Sequence, residues 1–227
     1  MSDIPMTPAD DARQAWFQEV WRSREEVIYP QLFGGNPDGI FRMTDDIFRQ
    51  LGQKEIDPRW KTICVLRFPT GQAAGQCAYV TSGLSTPWGL EPEQANPKEF
   101  SGLGFEFVMR FSEQADFAAT VLLWLAAVQT LVACGQLRGE LVGVLDRVPL
   151  GRPIAEKSFL DSLFVFPPDD LPTAFELASG MVDLLCVTGI TAVESGFAKS
   201  QGGDSLLTLL RHHEADRLTD IHRGSVV

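Results

Sequence analysis

Several groups of residues in this 227-residue chain are of types that could do chemistry. Thr81-Ser82-Gly83 offers a hydroxyl nucleophile, but no Gly-x-Ser-x-Gly elbow surrounds it, and the three histidines, His212, His213 and His222, all lie near the C-terminal end. Serine hydrolysis is therefore disfavoured. Gly102-Leu103-Gly104 has no third glycine at dinucleotide spacing and runs into a strand, whereas that fingerprint must open a helix. Its simpler use is to let the backbone pass close to a neighbour. His212, His213, Glu214, Asp216, Asp220 and His222 could be drawn as a metal cluster, yet adjacent histidines on a helix point ~100° apart and the spacing fits no standard site. They read as a solvated face. Glu91, Glu93 and Glu99 share a loop with Trp88, a pattern that suits either an exposed acidic loop or an aromatic anchor ringed by charge for a basic partner. No metal or cofactor is expected.

Glu106 and Arg110 fall on the same side of a strand about 13 Å apart at ~3.3 Å per residue, too far to pair with each other. A covered Glu106 without partners would be costly, so its carboxylate is expected to hydrogen-bond a turn backbone, the Ser82-Gly83 turn or the Ser101 segment. A ligand-anchoring glutamate is the alternative.

The elements that must hold these residues follow from periodicity. In Ser101 to Phe111, Phe105, Phe107, Met109 and Phe111 alternate with Glu106, Val108 and Arg110, which predicts a strand with one face in a core. Thr62 to Phe68 and Gln76 to Thr81, joined through Pro69-Thr70-Gly71, predict an antiparallel hairpin. Asp116 to Ala133 is apolar on more than one face and ends at Gly135, which predicts a buried helix laid on a sheet. Thr120, Gln129 and Thr130 interrupt it, so a membrane span is not expected. Thr7-Pro8 caps a first amphipathic helix that Tyr29-Pro30 should stop. Ile40 to Met43, Leu141 to Leu145, Phe159 to Phe166 and Met181 to Val187 are further strands, and Asp45 to Gly52 a short helix. Thr191 and Glu194 have capping-box spacing, Asp204 to His213 forms a last helix, and the tail from His222 is expected to fray.

Hydrophobic residues at 44% and charged residues at 22% exclude disordered and collagen-like classes. Nineteen basic against thirty acidic residues give a net charge of −11, which repels nucleic acid and anionic membranes and steers basic proteins inward. Cys64, Cys77, Cys134 and Cys186 sit in apolar runs without a Cys-x-x-Cys pair, which predicts reduced, buried thiols in a cytoplasmic protein. The amino terminus lacks a basic-then-apolar leader, and no linker composition interrupts the chain, so a single domain over residues 1–227 is expected.

Five stretches occur in an order that resembles the Suppressor of fused domain: Asp57-Pro58-Arg59-Trp60; Tyr79-Val80-Thr81-Ser82-Gly83-Leu84-Ser85; Ser101-Gly102-Leu103-Gly104-Phe105-Glu106-Phe107; the helix with Trp124 and Leu125; and Gly189-Ile190-Thr191-Ala192-Val193-Glu194. Leu125 stands where the family pattern usually has proline. The resemblance implies an α+β fold, a mixed and largely antiparallel sheet packed against several helices, and a non-enzymatic protein-binding role. It implies that bacterial members act as immunity proteins neutralising a cognate polymorphic toxin, here a basic one. The animal protein's additional C-terminal domain has no counterpart in these residues, so its clamp on Gli-type transcription factors is not carried over. A scaffold capturing a peptide by strand addition, and an unrecognised hydrolase, are the alternatives. The residues marked as architecture or contact surface are Tyr79, Thr81, Ser82, Gly83, Ser101, Gly102, Gly104, Glu106 and Arg110.

Overall fold

The computed structural model describes residues 8–70, 76–111 and 114–227. In chain order the elements are α1 (Pro8–Arg22), a π-helical segment (Ser23–Ile28), α2 (Tyr29–Phe33), β1 (Gly39–Arg42), α3 (Asp45–Gln50), β2 (Cys64–Pro69) and β3 (Cys77–Ser82). There follow β4 (Phe100–Phe111), α4 (Asp116–Ala133), β5 (Arg147–Pro149), β6 (Leu160–Phe166), β7 (Ala174–Leu177), β8 (Gly180–Thr191), α5 (Ala192–Gln201) and α6 (Gly203–His212). The cap proposed at Thr7 and the turn residue Gly71 lie outside the described residues.

The strands form one sheet in the order β1-β2-β3-β4-β8-β6-β5, with β7 also on β8. Every pairing is antiparallel except β4 with β8, where Phe105 to Met109 run alongside Asp183 to Val187. The expected hairpin is present as β2 and β3, with Cys64 opposite Ser82 and Pro69 opposite Cys77. Twelve residues long, β8 serves β7 with its first turn of chain and β6 with its last.

Alternation sorts each strand between two faces, and both are covered. Phe105, Phe107, Met109 and Phe111 of β4 join Val65, Tyr79, Val165 and Leu185 beneath α4. Val108 points the other way, into a second core with Tyr29, Phe33, Leu66, Phe68 and Val80. Further along that second face Phe164, Phe166 and Ile190 lie under α5 and α6. Strand β4 is thus buried on both sides, one more than its pattern predicted. Helix α4 has the expected bounds, and its Leu122, Leu125 and Leu131 are fully buried, each worth about 1.5–3 kcal/mol. Past its end Gly135, at φ +69, donates to Val132 O at 3.0 Å while Gln136 N donates to Leu131 O at 2.8 Å, the Schellman pattern.

Four expectations are corrected. Tyr29-Pro30 does not end the first helix: the backbone loosens into the π-helical turn and re-forms as α2, with Pro30 in its first turn, where a missing N–H costs no hydrogen bond. Leu141 to Leu145 is irregular chain rather than a strand, because Leu145 adopts φ +71, Val142 N donates to Gln129 Oε1 at 2.7 Å and Gly143 N donates to the Asp146 carboxylate at 2.8 Å. Cys134, just past α4, is exposed, whereas Cys64, Cys77 and Cys186 are buried. The tail does not fray: Arg223 donates to both Glu194 oxygens at 2.6 and 2.9 Å and to Gly189 O at 2.8 Å, and Val226 N donates to Glu194 at 2.9 Å.

Candidate functional site

Strand β3 leaves the ladder after Val80, its last partner on β4 being Val108, and side chains take over the bonding from there. The Thr81 hydroxyl accepts the Phe107 N–H at 2.8 Å and donates to Glu106 Oε2 at 2.6 Å. The turn that follows needs glycine, since Gly83 has φ +128 and a Cβ would stand 2.9 Å from Ile63 Cα. In that conformation Gly83 N and Ser85 N each donate to Glu106 Oε1 at 2.9 Å, and Ser85 Oγ donates to the same atom at 2.6 Å. The expected turn partner of Glu106 is therefore the Ser82-Gly83 turn, extended to Ser85. Fully buried, the carboxylate accepts four hydrogen bonds.

A guanidinium from the π-helical segment closes the cluster. Arg24, almost fully buried, donates from Nε to Ser82 Oγ at 2.8 Å and from Nη1 to Ser85 Oγ at 2.9 Å, and Nη1 lies 3.8 Å from Glu106 Oε1. Ser82 Oγ in turn donates to the Glu25 carboxylate. Two buried or near-buried carboxylates thus share one cation. Burial, helped by the nearby Glu106 charge, pushes the Glu25 carboxyl above its ordinary value against the opposing pull of Ser82 and Arg24. Tyr29 donates its hydroxyl to Thr81 O at 2.8 Å, and burial drives its pKa well above the usual phenol value.

A second layer locks the turn against β4. Ser101 Oγ donates to Ser85 O at 2.6 Å and meets Ser179 Oγ at 2.5 Å. Gly102, at φ +59, passes so close that a Cβ would stand 2.5 Å from Leu84 O, and Leu103 N donates to that oxygen at 2.8 Å. Gly104, at φ +85, leaves room for the Phe100 ring.

Of the residues singled out from sequence, Thr81, Ser82, Gly83 and Glu106 meet directly, and Ser101, Gly102 and Gly104 shape the strand that holds them. Two stand apart. Tyr79 faces α4 and accepts the Ala115 N–H at 3.0 Å. Arg110 forms a two-pronged pair with Asp170 at 2.6 and 3.0 Å. Sequence reasoning missed Arg24, Glu25, Tyr29, Ser85 and Ser179 as partners; Ser85 lay within a stretch quoted for the resemblance, and Tyr29 was noted only as the expected stop of the first helix. His212 and His213 sit at the end of α6, far along the chain from Ser82, and among the described residues no three His, Cys, Asp or Glu are grouped to hold a metal ion. No helix among them is long and apolar enough to cross a membrane.

A mixed, mostly antiparallel sheet clasped between helices, with a buried glutamate tying a serine-glycine turn to its central strand, defines an α+β domain whose polar centre is occupied by its own side chains. The chain belongs to the Suppressor of fused protein (SUFU) family, whose model matches residues 59–224. Three solved structures share the fold. A SUFU homologue from Neisseria gonorrhoeae is 19% identical with a TM-score of 0.62, covering 94% of this chain and 98% of that one. A chain in the crystal structure of the Sufu-Fu complex is 16% identical with a TM-score of 0.61, covering 94% of this chain and 91% of that one. Drosophila Suppressor of Fused is 18% identical with a TM-score of 0.55; the match covers 72% of this chain and only 42% of that protein. No curated protein matches the chain by sequence.

Proposed function

We propose that this chain works as a protein-binding domain over its whole length, and that it is a cytoplasmic immunity protein neutralising a basic toxin domain. The observation that carries the binding reading is the self-sufficiency of the Glu106 cluster. Each of the cluster's three central hydroxyls is engaged on both sides: Ser82 between Arg24 and Glu25, Ser85 between Arg24 and Glu106, Thr81 between Phe107 and Glu106. Such a cluster holds the turn rigidly against β4 and commits these hydroxyls to structural hydrogen bonds. A related structure captured with Fu is in keeping with a family that works through complexes. The net charge of −11 supports a basic partner, since it accelerates encounter with cationic surfaces.

The test is co-expression with a toxin domain encoded beside its gene. Stoichiometric co-purification and restored growth are expected; a purified chain that protects against none and binds none overturns the immunity reading.

One observation favours a second reading, peptide capture by strand addition. Strand β1 is paired on one side only, its Ile40 is 59% exposed, and Arg42 at its end lines the same cavity as Thr86 and Trp88 of the long loop. Amide-exchange protection of 39–42 on partner binding would mark that mode, and unchanged exchange there would exclude it.

A further inference from the structure

Outside the Glu106 cluster, on the far side of Arg24, lies an open cavity of about 860 Å³ between α1, the end of β1, the 58–62 turn and the 86–88 stretch. Its charged lining is of one sign: Arg13, Arg24, Arg42, Arg59 and Lys61, with no Asp or Glu. Five of the nineteen basic residues thus line one cavity of a protein that is otherwise strongly acidic. Four of them lean on carboxylates outside the lining, Arg13 on Glu91 at 3.3 Å, Arg24 on Glu25 at 3.7 Å and Glu106 at 3.8 Å, Arg59 on Asp57 at 2.5 Å and Lys61 on Asp45 at 2.8 Å. The Arg13 and Lys61 pairs are part-exposed and worth about 0–1 kcal/mol each, so an incoming carboxylate can exchange for the resident one there at little cost, whereas Arg59 grips Asp57 through two guanidinium nitrogens and Arg24 is buried. Arg42 is exposed and, among the described residues, has no carboxylate at ion-pair distance.

Aromatic side chains line the same cavity. Phe17 and Trp88 pack with ring centroids 5.1 Å apart, the Arg13 guanidinium sits 5.6 Å over Phe17, and Trp21 is 48% exposed beside them. Arginine and tryptophan are among the residue types that carry most binding energy in protein interfaces. The cavity is open along one side, which leaves room for a chain segment to lie across it. An extended segment laid along it can satisfy the basic and the aromatic side chains at once.

We propose that this groove is a docking surface for an acidic segment of a partner protein, one that carries an aromatic or aliphatic side chain among its carboxylates. Carboxylates meet Arg42 and Lys61 while the apolar side chain covers Trp21 and the Phe17–Trp88 pair. The proposal rests on the reading of the chain as protein-binding and adds a face and a chemistry to it; the face is opposite in charge to the molecule as a whole, so it is a contact additional to any made by the acidic surface.

The probe is a short synthetic peptide alternating Glu with Phe, compared with a Gln-for-Glu version and with ADP, by calorimetry and by the indole N–H resonances of the full chain. The acidic peptide is expected to bind, to shift the Trp21 and Trp88 resonances selectively, and to lose about tenfold or more in affinity as the Gln version or against Arg42→Glu or Trp21→Ala. Both substitutions are at exposed positions, so unchanged melting temperatures will show that loss of binding is not loss of fold. Equal binding of the Gln peptide, no shift of those two resonances at millimolar peptide, or ADP binding in place of the peptide overturns the proposal. A natural partner that binds the Arg42→Glu/Trp21→Ala double variant undiminished overturns it while leaving the protein-binding reading intact. A peptide that docks as described, with no protein partner found, does the reverse.

Discussion

Replacing Glu106 by Gln turns a carboxylate that accepts from Thr81, Gly83 and Ser85 into an amide whose NH2 must face one of those donors, and it leaves Arg24 with only the carboxylate of Glu25. Stripping a buried cation of a partner costs about 3 kcal/mol or more, so Glu106→Gln is expected to lower urea stability by that amount. A change under ~0.5 kcal/mol, the size of an ordinary surface substitution, would mean that the cluster contributes little. Two glycines provide an internal control for backbone strain. Gly135 and Gly102 both have positive φ, but nothing stands near a Cβ at Gly135, while one at Gly102 meets backbone at 2.5 Å. Gly135→Ala is expected to cost about 1–2 kcal/mol, and Gly102→Ala about 3 kcal/mol or more; equal losses on urea melts would contradict the close approach. The need of Glu106 for turn partners was legible, because a covered strand position cannot hold a bare carboxylate. Arg24 was not, because it lies 58 residues from Ser82 in a run, Ser-Arg-Glu-Glu, that reads as solvated helix surface.

At the scale of elements, the two ends of the chain carry opposite pH signatures. Glu25, on the π-helical segment, has its folded pKa raised above 4.5 by burial first and by Glu106, with Ser82, Arg24 and Trp21 opposing. Its contribution to stability is therefore complete below 4.5 and is lost as pH rises through the raised folded value. Glu25→Gln is expected to flatten that decline above pH 4.5, and an unchanged slope would show that Glu25 is not its source. Glu194 behaves the other way: burial would raise it, but Arg223 and the Thr191 and Val226 amides outweigh burial and hold it below 4.5. Its contribution is present above 4.5 and lost as pH falls through the lowered folded value. Arg223→Ala, which leaves a buried carboxylate without its cation, is expected to cost about 2–3 kcal/mol at neutral pH and less below the Glu194 pKa; a wild-type melting curve would mean that the tail is not anchored. The capping box at Thr191 and Glu194 was legible from spacing, and Thr191 Oγ1 does accept the Glu194 N–H at 3.2 Å. The further use of Glu194 as the tail's anchor was not, since it depends on a contact 29 residues away. Strand β7 escaped notice because Ala-Phe-Glu-Leu is too short to display a period, and Leu141 to Leu145 misled because apolar composition does not reveal a left-handed Leu145.

The whole molecule combines a net charge of −11 with one groove whose charged lining residues are all basic. The hairpin, β4 and α4 were each readable because local pattern decides them, but the parallel join of β4 to β8 was not, since the chain makes four other elements between the two. If the acidic surface steers a basic partner, association should slow steeply as salt rises while dissociation changes little, a split that stopped-flow measurements separate; a salt-independent on-rate would remove the electrostatic part of the account. The most direct measurement of the central claim, binding without bond-breaking, is survival and complex formation when the chain is co-expressed with the toxin domain encoded beside its gene. The account predicts a stoichiometric complex, restored growth, and an intact toxin when the complex is taken apart. Growth restored with the toxin cleaved or modified would contradict it, as would neither protection nor a complex.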